Sequence, residues 1–195
     1  MQMKTTTLLA WAITALLASA CSQEKISTDK YFDFDGLVDD QVNQLSQRRR
    51  VLGKTAEISG IKSDTTFLPS GKGWESELEI FRDLEIINKP SYQKVYKVED
   101  ALKDTKSNLK IRQYRSTSSP VTSVKFYYQD EFERLKIIEA DIVEKNLLYS
   151  NSRSLTMEFD EEDGKPLLIR YTMNGFQKMV FIEPVQFSVT GQIDW

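Results

Sequence analysis

Residues 165–182 read Lys165-Pro166-Leu167-Leu168-Ile169-Arg170-Tyr171-Thr172-Met173-Asn174-Gly175-Phe176-Gln177-Lys178-Met179-Val180-Phe181-Ile182, and this stretch decides the fold class. Leu167, Ile169, Tyr171 and Met173 stand at every second position, the spacing that lines one face of a strand. Asn174-Gly175 follows, a pair that two-residue hairpins favour because both central residues take positive φ. Met179-Val180-Phe181-Ile182 then predicts the returning strand. Strands joined by turns rather than helices run antiparallel.

The same rhythm extends both ways. Val185, Phe187 and Val189 close the series. Upstream, Leu155, Met157 and Phe159 connect through Glu161-Glu162-Asp163-Gly164-Lys165-Pro166. Leu135 and Ile137, then Ala140 and Ile142, read as a strand with a bulge. Val124, Phe126 and Tyr128 precede them. Leu109, Ile111 and Gln113, and before a polar loop at 99–107 Tyr96 and Val98, complete the set. This predicts an antiparallel meander of about six or seven strands.

Before Ser91 the period changes. Phe34, Leu37, Val38, Val42 and Leu45 share one helical face, which predicts a helix over 33–50 with Asp33 or Asp35 at its start and Arg48-Arg49-Arg50 in its last turn. Those cations complement the helix dipole; a phosphate or headgroup patch is the other reading. Residues 53–68 predict a hairpin around Ser59-Gly60, and 69–73 break the pattern. A second helix is expected over 74–88, with Trp74, Leu78 and Phe81 on one seam and Ile80, Leu84 and Ile87 on another. Asn88-Lys89-Pro90 ends it. The expected class is α+β: two helices and a β-hairpin, then the meander, flat or curved around the second helix, in one domain over 31–195.

Composition narrows the chemistry. The chain has 195 residues, 40% hydrophobic and 28% charged, with net charge −3. That is long enough to build a core without disulfides or metal, and too acidic to favour nucleic acid. There is no histidine, so the commonest general base and metal ligand is missing. Ser152 and Ser154 with Lys145 are the residue types of a serine–lysine pair, but their spacing does not single them out. Asp33, Asp35, Asp39 and Asp40, and Asp160-Glu161-Glu162-Asp163, are carboxylate clusters; the second lacks the alternating spacing of a calcium loop. They read as helix capping and a solvated turn. No catalytic, cofactor-binding or metal residue is assigned. Aromatics are plentiful: Trp74, Tyr92, Tyr96, Phe126, Tyr127, Tyr128, Phe132, Tyr149 and Tyr171. Most are expected in the core, and Tyr127 and Tyr128 must face opposite sides of their strand.

The first residues carry an address. Lys4 precedes an apolar run from Leu8 to Leu17, too short to span a membrane. Leu17-Ala18-Ser19-Ala20-Cys21 then places small residues directly before the single cysteine. This resembles the lipobox of bacterial lipoproteins, with Ala18 where the commonest pattern has a larger apolar residue. The resemblance implies a signal peptide over 1–20, cleavage after Ala20 and a diacylglycerol on the Cys21 sulfur. Palmitate-like chains would hold the protein on a bilayer, with 21–30 as an acylated tether. Ser22 in place of aspartate leans toward the outer membrane rather than inner-membrane retention, and Ser22-Gln23-Glu24-Lys25 loosely resembles the surface-export tag of Bacteroidota lipoproteins. Past the export segment, 25 basic and 29 acidic residues leave a net −4. The stretch Trp74-Glu75, Glu77-Leu78, Phe81, Ile87-Asn88-Lys89-Pro90, Tyr92 and Tyr96, with Lys145-Asn146-Leu147-Leu148-Tyr149, is similar to uncharacterised Bacteroidota envelope lipoproteins. That likeness implies an envelope location and no activity.

The function expected from the sequence is therefore a membrane-tethered, non-enzymatic envelope module binding a protein partner or an apolar ligand. A carboxylate-based hydrolase of glycans is the alternative.

Overall fold

The computed structural model describes residues 31–194; the export segment, Cys21 and the tether lie outside the described residues. The chain forms helix α1 (Phe34–Arg48), strands β1 (Leu52–Ile58) and β2 (Ile61–Phe67), helix α2 (Gly71–Arg82), two 3-10 helices (Asp83–Asn88 and Pro90–Tyr92), and strands β3 (Lys97–Lys103), β4 (Lys110–Arg115), β5 (Val121–Tyr128), β6 (Leu135–Lys145), β7 (Tyr149–Glu162), β8 (Lys165–Met179) and β9 (Val185–Ile193). The fold is α+β. One nine-stranded antiparallel sheet runs β2-β1-β9-β8-β7-β6-β5-β4-β3. It is open, with β2 and β3 as its edges. The strand count exceeds six or seven because the β1–β2 hairpin joins the meander, Leu52 pairing with Ile193 and Ile58 with Phe187.

Helix α1 begins where expected. The Asp33 carboxylate accepts a hydrogen bond from the Gly36 N–H at 3.1 Å, satisfying an orphan donor of the first turn. Phe34, Val38, Gln41, Val42 and Leu45 form the buried stripe. The helix stops earlier than 50, because Arg49 turns left-handed (φ 52°) and caps the C-terminus through its backbone.

The second helix differs more. Ser70 Oγ accepts from the Gly73 N–H at 3.2 Å, so the Gly71–Gly73 segment expected to be a break is the first turn. The α-helix ends at Arg82 and tightens into the 3-10 turn Asp83–Asn88. The two apolar seams belong to these two periods. Trp74, Leu78 and Phe81 are buried at α spacing; Leu84 and Ile87 are buried three apart, on the eclipsed face of a 3-10 helix. Ile80 is only half-buried.

Two expectations in 165–182 are overturned. Asn174-Gly175 is not a turn: β8 runs through it to Met179, Gly175 pairing with Arg153 on one side and Phe187 on the other. The Phe187 ring covers Gly175, and a Cβ there would lie 2.1 Å from it. The glycine is selected by that ring, not by a positive φ. The returning turn falls at 180–184, where Met179–Ile182 was expected to be strand, with Phe181 at φ 64°. The second correction is phase. The β7–β8 register shifts between Glu158 and Phe159, so Leu168, not Ile169, lies across from buried Phe159. Gln41 of α1 holds this bulge. Its amide oxygen accepts from the Leu168 N–H at 2.7 Å, and its amide nitrogen donates to the Pro166 carbonyl at 3.0 Å.

The core lies between the helices and the middle strands. Phe34, Leu45, Trp74, Leu78, Leu84 and Ile87 meet Val124, Phe126, Ile138, Leu155, Met157 and Leu168, all essentially without solvent exposure. Among the described residues every buried core side chain falls within residues 34–193. Residues entering it are stapled. Asn88 accepts from the Tyr31 N–H (2.8 Å) and donates to the Phe32 carbonyl (2.7 Å), while Glu85 accepts from the Phe34 N–H (2.9 Å).

Candidate functional site

Most of the charged clusters form ion pairs. The basic triplet and the acidic turn, far apart in sequence, meet: Arg48 Nε lies 3.2 Å from Glu162 and its Nη2 3.2 Å from Asp163, while Arg50 reaches Glu162 at 2.9 Å. They clasp α1 to the β7–β8 turn. Asp160 lies 3.5 Å from Lys136 and Glu161 3.2 Å from Arg134. Asp35 and Asp39 pair with Arg82, the latter at 2.5 Å. Among the described residues no three His, Cys, Asp or Glu side chains come together as a metal site.

The aromatics divide as their burial dictates. Trp74, Tyr96, Phe126, Tyr128 and Tyr171 are core, and Tyr92 and Phe132 pack partly against it. Tyr127 and Tyr128 do face opposite ways. Tyr128 donates inward to Asp100 at 2.8 Å, and Tyr127 donates to Glu139 at 2.9 Å on the far face. Arg112 sits 3.8 Å over the Phe132 ring and lies 2.5 Å from Asp100. Its hydrogen bonds hold that carboxyl below its ordinary range.

At the rim of the core, Glu77 of α2 accepts from the Tyr171 hydroxyl at 2.6 Å and from Lys54 Nζ at 2.7 Å. Burial, then the carboxylate beside it, push the Tyr171 hydroxyl well above its ordinary value. The Tyr171 ring lies over Gly191, where a Cβ would come within 2.2 Å. This is the second place where a strand glycine exists to seat an aromatic ring.

At one end of the sheet the strands leave the core: residues 146–154 and 172–190 contain no fully buried side chain. A groove of about 470 Å³ is lined by Glu57, Ser152, Ser154, Asn174, Phe176 and Ser188 among others. Two of its hydroxyls are engaged by neighbouring side chains. Ser154 Oγ donates to Asp141 at 2.7 Å and Ser188 Oγ to Asn174 at 2.8 Å. Lys145 lies across from Ser150 and Ser152 across from Val143, and the Ser154 hydroxyl is engaged by Asp141 rather than by a lysine.

Beyond the groove lies an apolar tip that pattern reading passed over. The β6–β7 loop exposes Leu147 (97%) and Leu148 (70%); the β8–β9 turn exposes Phe181 (104%) and Ile182 (56%). The two tips form one surface, because Tyr149 pairs with Met179 and the Val180 N–H donates to the Leu148 carbonyl at 3.0 Å. The signal available in the sequence was Leu147-Leu148 and Val180-Phe181-Ile182 at turn positions, where polar residues are the rule.

The sheet edges are unlike each other. Edge β3 is broken by a bulge between Glu99 and Leu102, with Ala101 at φ 54°. Edge β2 pairs with β1 without interruption over all seven residues and is exposed throughout. Its hairpin turn places both Ser59 (φ 49°) and Gly60 (φ 85°) at positive φ, which makes Ile58 and Ile61 a hydrogen-bonded pair. By alternation, the N–H and C=O groups of Lys62, Asp64 and Thr66 then point away from β1. Among the described residues no helix is long and apolar enough to cross a membrane. Comparison of the chain with protein-family models, with curated proteins and with solved structures finds no match to any of them.

Proposed function

We propose that this is an envelope lipoprotein, tethered through Cys21, whose domain is a non-enzymatic module that binds a protein partner along strand β2. The observation that carries the reading is the inequality of the two edges. A bulge is how natural sheets blunt an edge against further pairing. Edge β3 has one, and β2 keeps a regular seven-residue ladder with outward backbone groups, the template for an added strand.

The interior speaks for a partner over a carried ligand. Six large side chains from the helices and six from the strands fill the space an apolar ligand would need. The glycan-hydrolase alternative needs two carboxylates free to work together across a sugar. The carboxylates of both sequence clusters are largely held in ion pairs, and Glu77 is engaged by Lys54 and Tyr171.

The test is a photo-crosslinking residue at Lys62 or Thr66 in the full chain, exported by its cell. We expect one adduct of defined mass from β2, none from Lys103 on β3, and loss of the adduct with Asp64→Pro. Proline removes an outward N–H, and edge strands tolerate it. Equal adducts from both edges would overturn the reading. So would a lipid of defined mass that travels with residues 22–195 in native mass spectrometry and is retained when Leu147→Asp and Phe181→Asp remove the exposed apolar side chains.

A further inference from the structure

We infer that the apolar tip, Leu147-Leu148 with Val180-Phe181-Ile182, inserts into the interfacial layer of a phospholipid bilayer. The inference stands apart from the β2 reading. It begins from shape: Leu147 and Phe181 are fully exposed and project from the two turns, and the hollow beside them, about 150 Å³ between Leu148 and Val180, is too small to seat a partner's side-chain cluster. A protein partner must supply a fitted pocket for such protrusions. A fluid bilayer needs only apolar groups that stand clear of the polar surface and reach below the headgroups. Exposed apolar side chains on a soluble surface are ordinary when scattered; five on two hydrogen-bonded turns are a patch that marks an interaction site.

Charge agrees with a lipid surface. Lys145 and Lys178 stand immediately behind the tip, one on each hairpin, and both are exposed. Between Lys145 and Tyr149 and between Lys178 and Val185 the single acid is Glu183. Two lysines behind an apolar edge meet anionic headgroups while the apolar groups enter the layer below. The mild net negative charge of the whole chain is carried elsewhere.

Reach agrees as well. The Tyr31 carbonyl accepts from the Tyr114 hydroxyl at 3.0 Å, which fixes where the domain begins. Tyr114 lies level with Leu155 across β5 and β6. Three strand spacings sideways and the run from Leu155 to the tip along β7 place the tip about 25–30 Å from Tyr31. Residues 21–30, fully extended, span at most about 35 Å. A lipid on Cys21 and the tip can therefore occupy one membrane.

The probe is residues 22–195 without acylation, which hold every core residue of the described structure and no cysteine, with mixed phosphatidylethanolamine–phosphatidylglycerol vesicles. The expected result is flotation with the vesicles, weakened by salt but not abolished. Leu147→Asp with Phe181→Asp should reduce partitioning at least about tenfold with an unchanged melting temperature, since both side chains are outside the core. An environment-sensitive fluorophore on Leu147→Cys should shift to the blue with vesicles, and the same fluorophore on Lys165→Cys at the other end should not. Three results would overturn the inference: no flotation at any lipid concentration, equal flotation of the double variant, or a dimer in solution that Phe181→Asp dissolves, which would assign the tip to a second copy of the chain. Because no anchor is present, failure here does not bear on Cys21.

Discussion

Gln41 offers the sharpest check on how the helices fix the sheet. Its side chain is 1% exposed, and its amide satisfies both a donor and an acceptor that the β8 bulge turns away from β7. Gln41→Leu keeps the volume and removes both bonds. A buried N–H left without an acceptor costs about 1–3 kcal/mol, and the Pro166 carbonyl loses about 1 kcal/mol more. The added apolar burial returns about 1 kcal/mol. The net is a loss of about 1–3 kcal/mol, or roughly 2–12 °C in melting temperature for a domain of this size. Urea denaturation should show a lower midpoint at unchanged slope. Hydrogen exchange should show the Leu168 amide losing more protection than its neighbours. If Gln41→Leu stays within about 0.5 kcal/mol of the natural protein and Leu168 remains protected, the bulge is held by the strands alone and the argument is wrong.

Gly175→Ala should destabilise the natural protein, because the Cβ meets the Phe187 ring at 2.1 Å. In a Phe187→Ala background the same change should be neutral or stabilise by up to about 0.5–1 kcal/mol, as alanine replaces a strand glycine; additive effects in a double-mutant cycle would refute the aromatic cover. Tyr171→Phe should cost about 1.5–3 kcal/mol, since the lost hydrogen bond is to a charged group. The Tyr171 hydroxyl is raised in the folded state, so its stabilisation is complete below the ordinary tyrosine value near 10 and is lost as pH rises beyond it. Melting temperature against pH should therefore fall less steeply above about pH 10 in Tyr171→Phe, and parallel curves would exclude this group as the source.

The sequence made the period-two strands, the Ser59-Gly60 hairpin and the start of α1 legible because each is decided locally: by alternation, by positive φ at two adjacent residues, by a cap three residues from its donor. What it hid was decided by partners distant in the chain. Asn174-Gly175 carries the local signature of a turn, yet Phe187 on the next strand fills the space above the glycine and the ladder continues. Leu167 and Leu168 are both buried, where strict alternation would bury one, because a bulge held by Gln41, more than 120 residues away, interrupts the alternation. Arg48, Arg50, Glu162 and Asp163 were visible as two charge runs but not as one clasp. The seams on α2 were visible as residues, whereas the change from α to 3-10 period that separates them was not. The open edge β2 and the apolar tip could not be read from spacing, because edge and exposure belong to the assembled sheet.

These two surfaces also bear on each other. The strands run away from the tip, and β2 starts at the tip end, with Ile61 beside the β1–β2 turn and Phe67 at the far end. On the proposed reading, a lipid on Cys21 alone sets no direction for the domain, so an edge strand would meet a partner in the same membrane rarely and with its orientation free. A tip seated in the headgroup layer removes that freedom. It stands the strands up from the surface and turns the free edge of β2 sideways, along the plane in which a membrane-bound partner diffuses. On these two proposals the exposed apolar tip and the unblunted edge have one physical rationale: the first fixes the direction in which the second is presented.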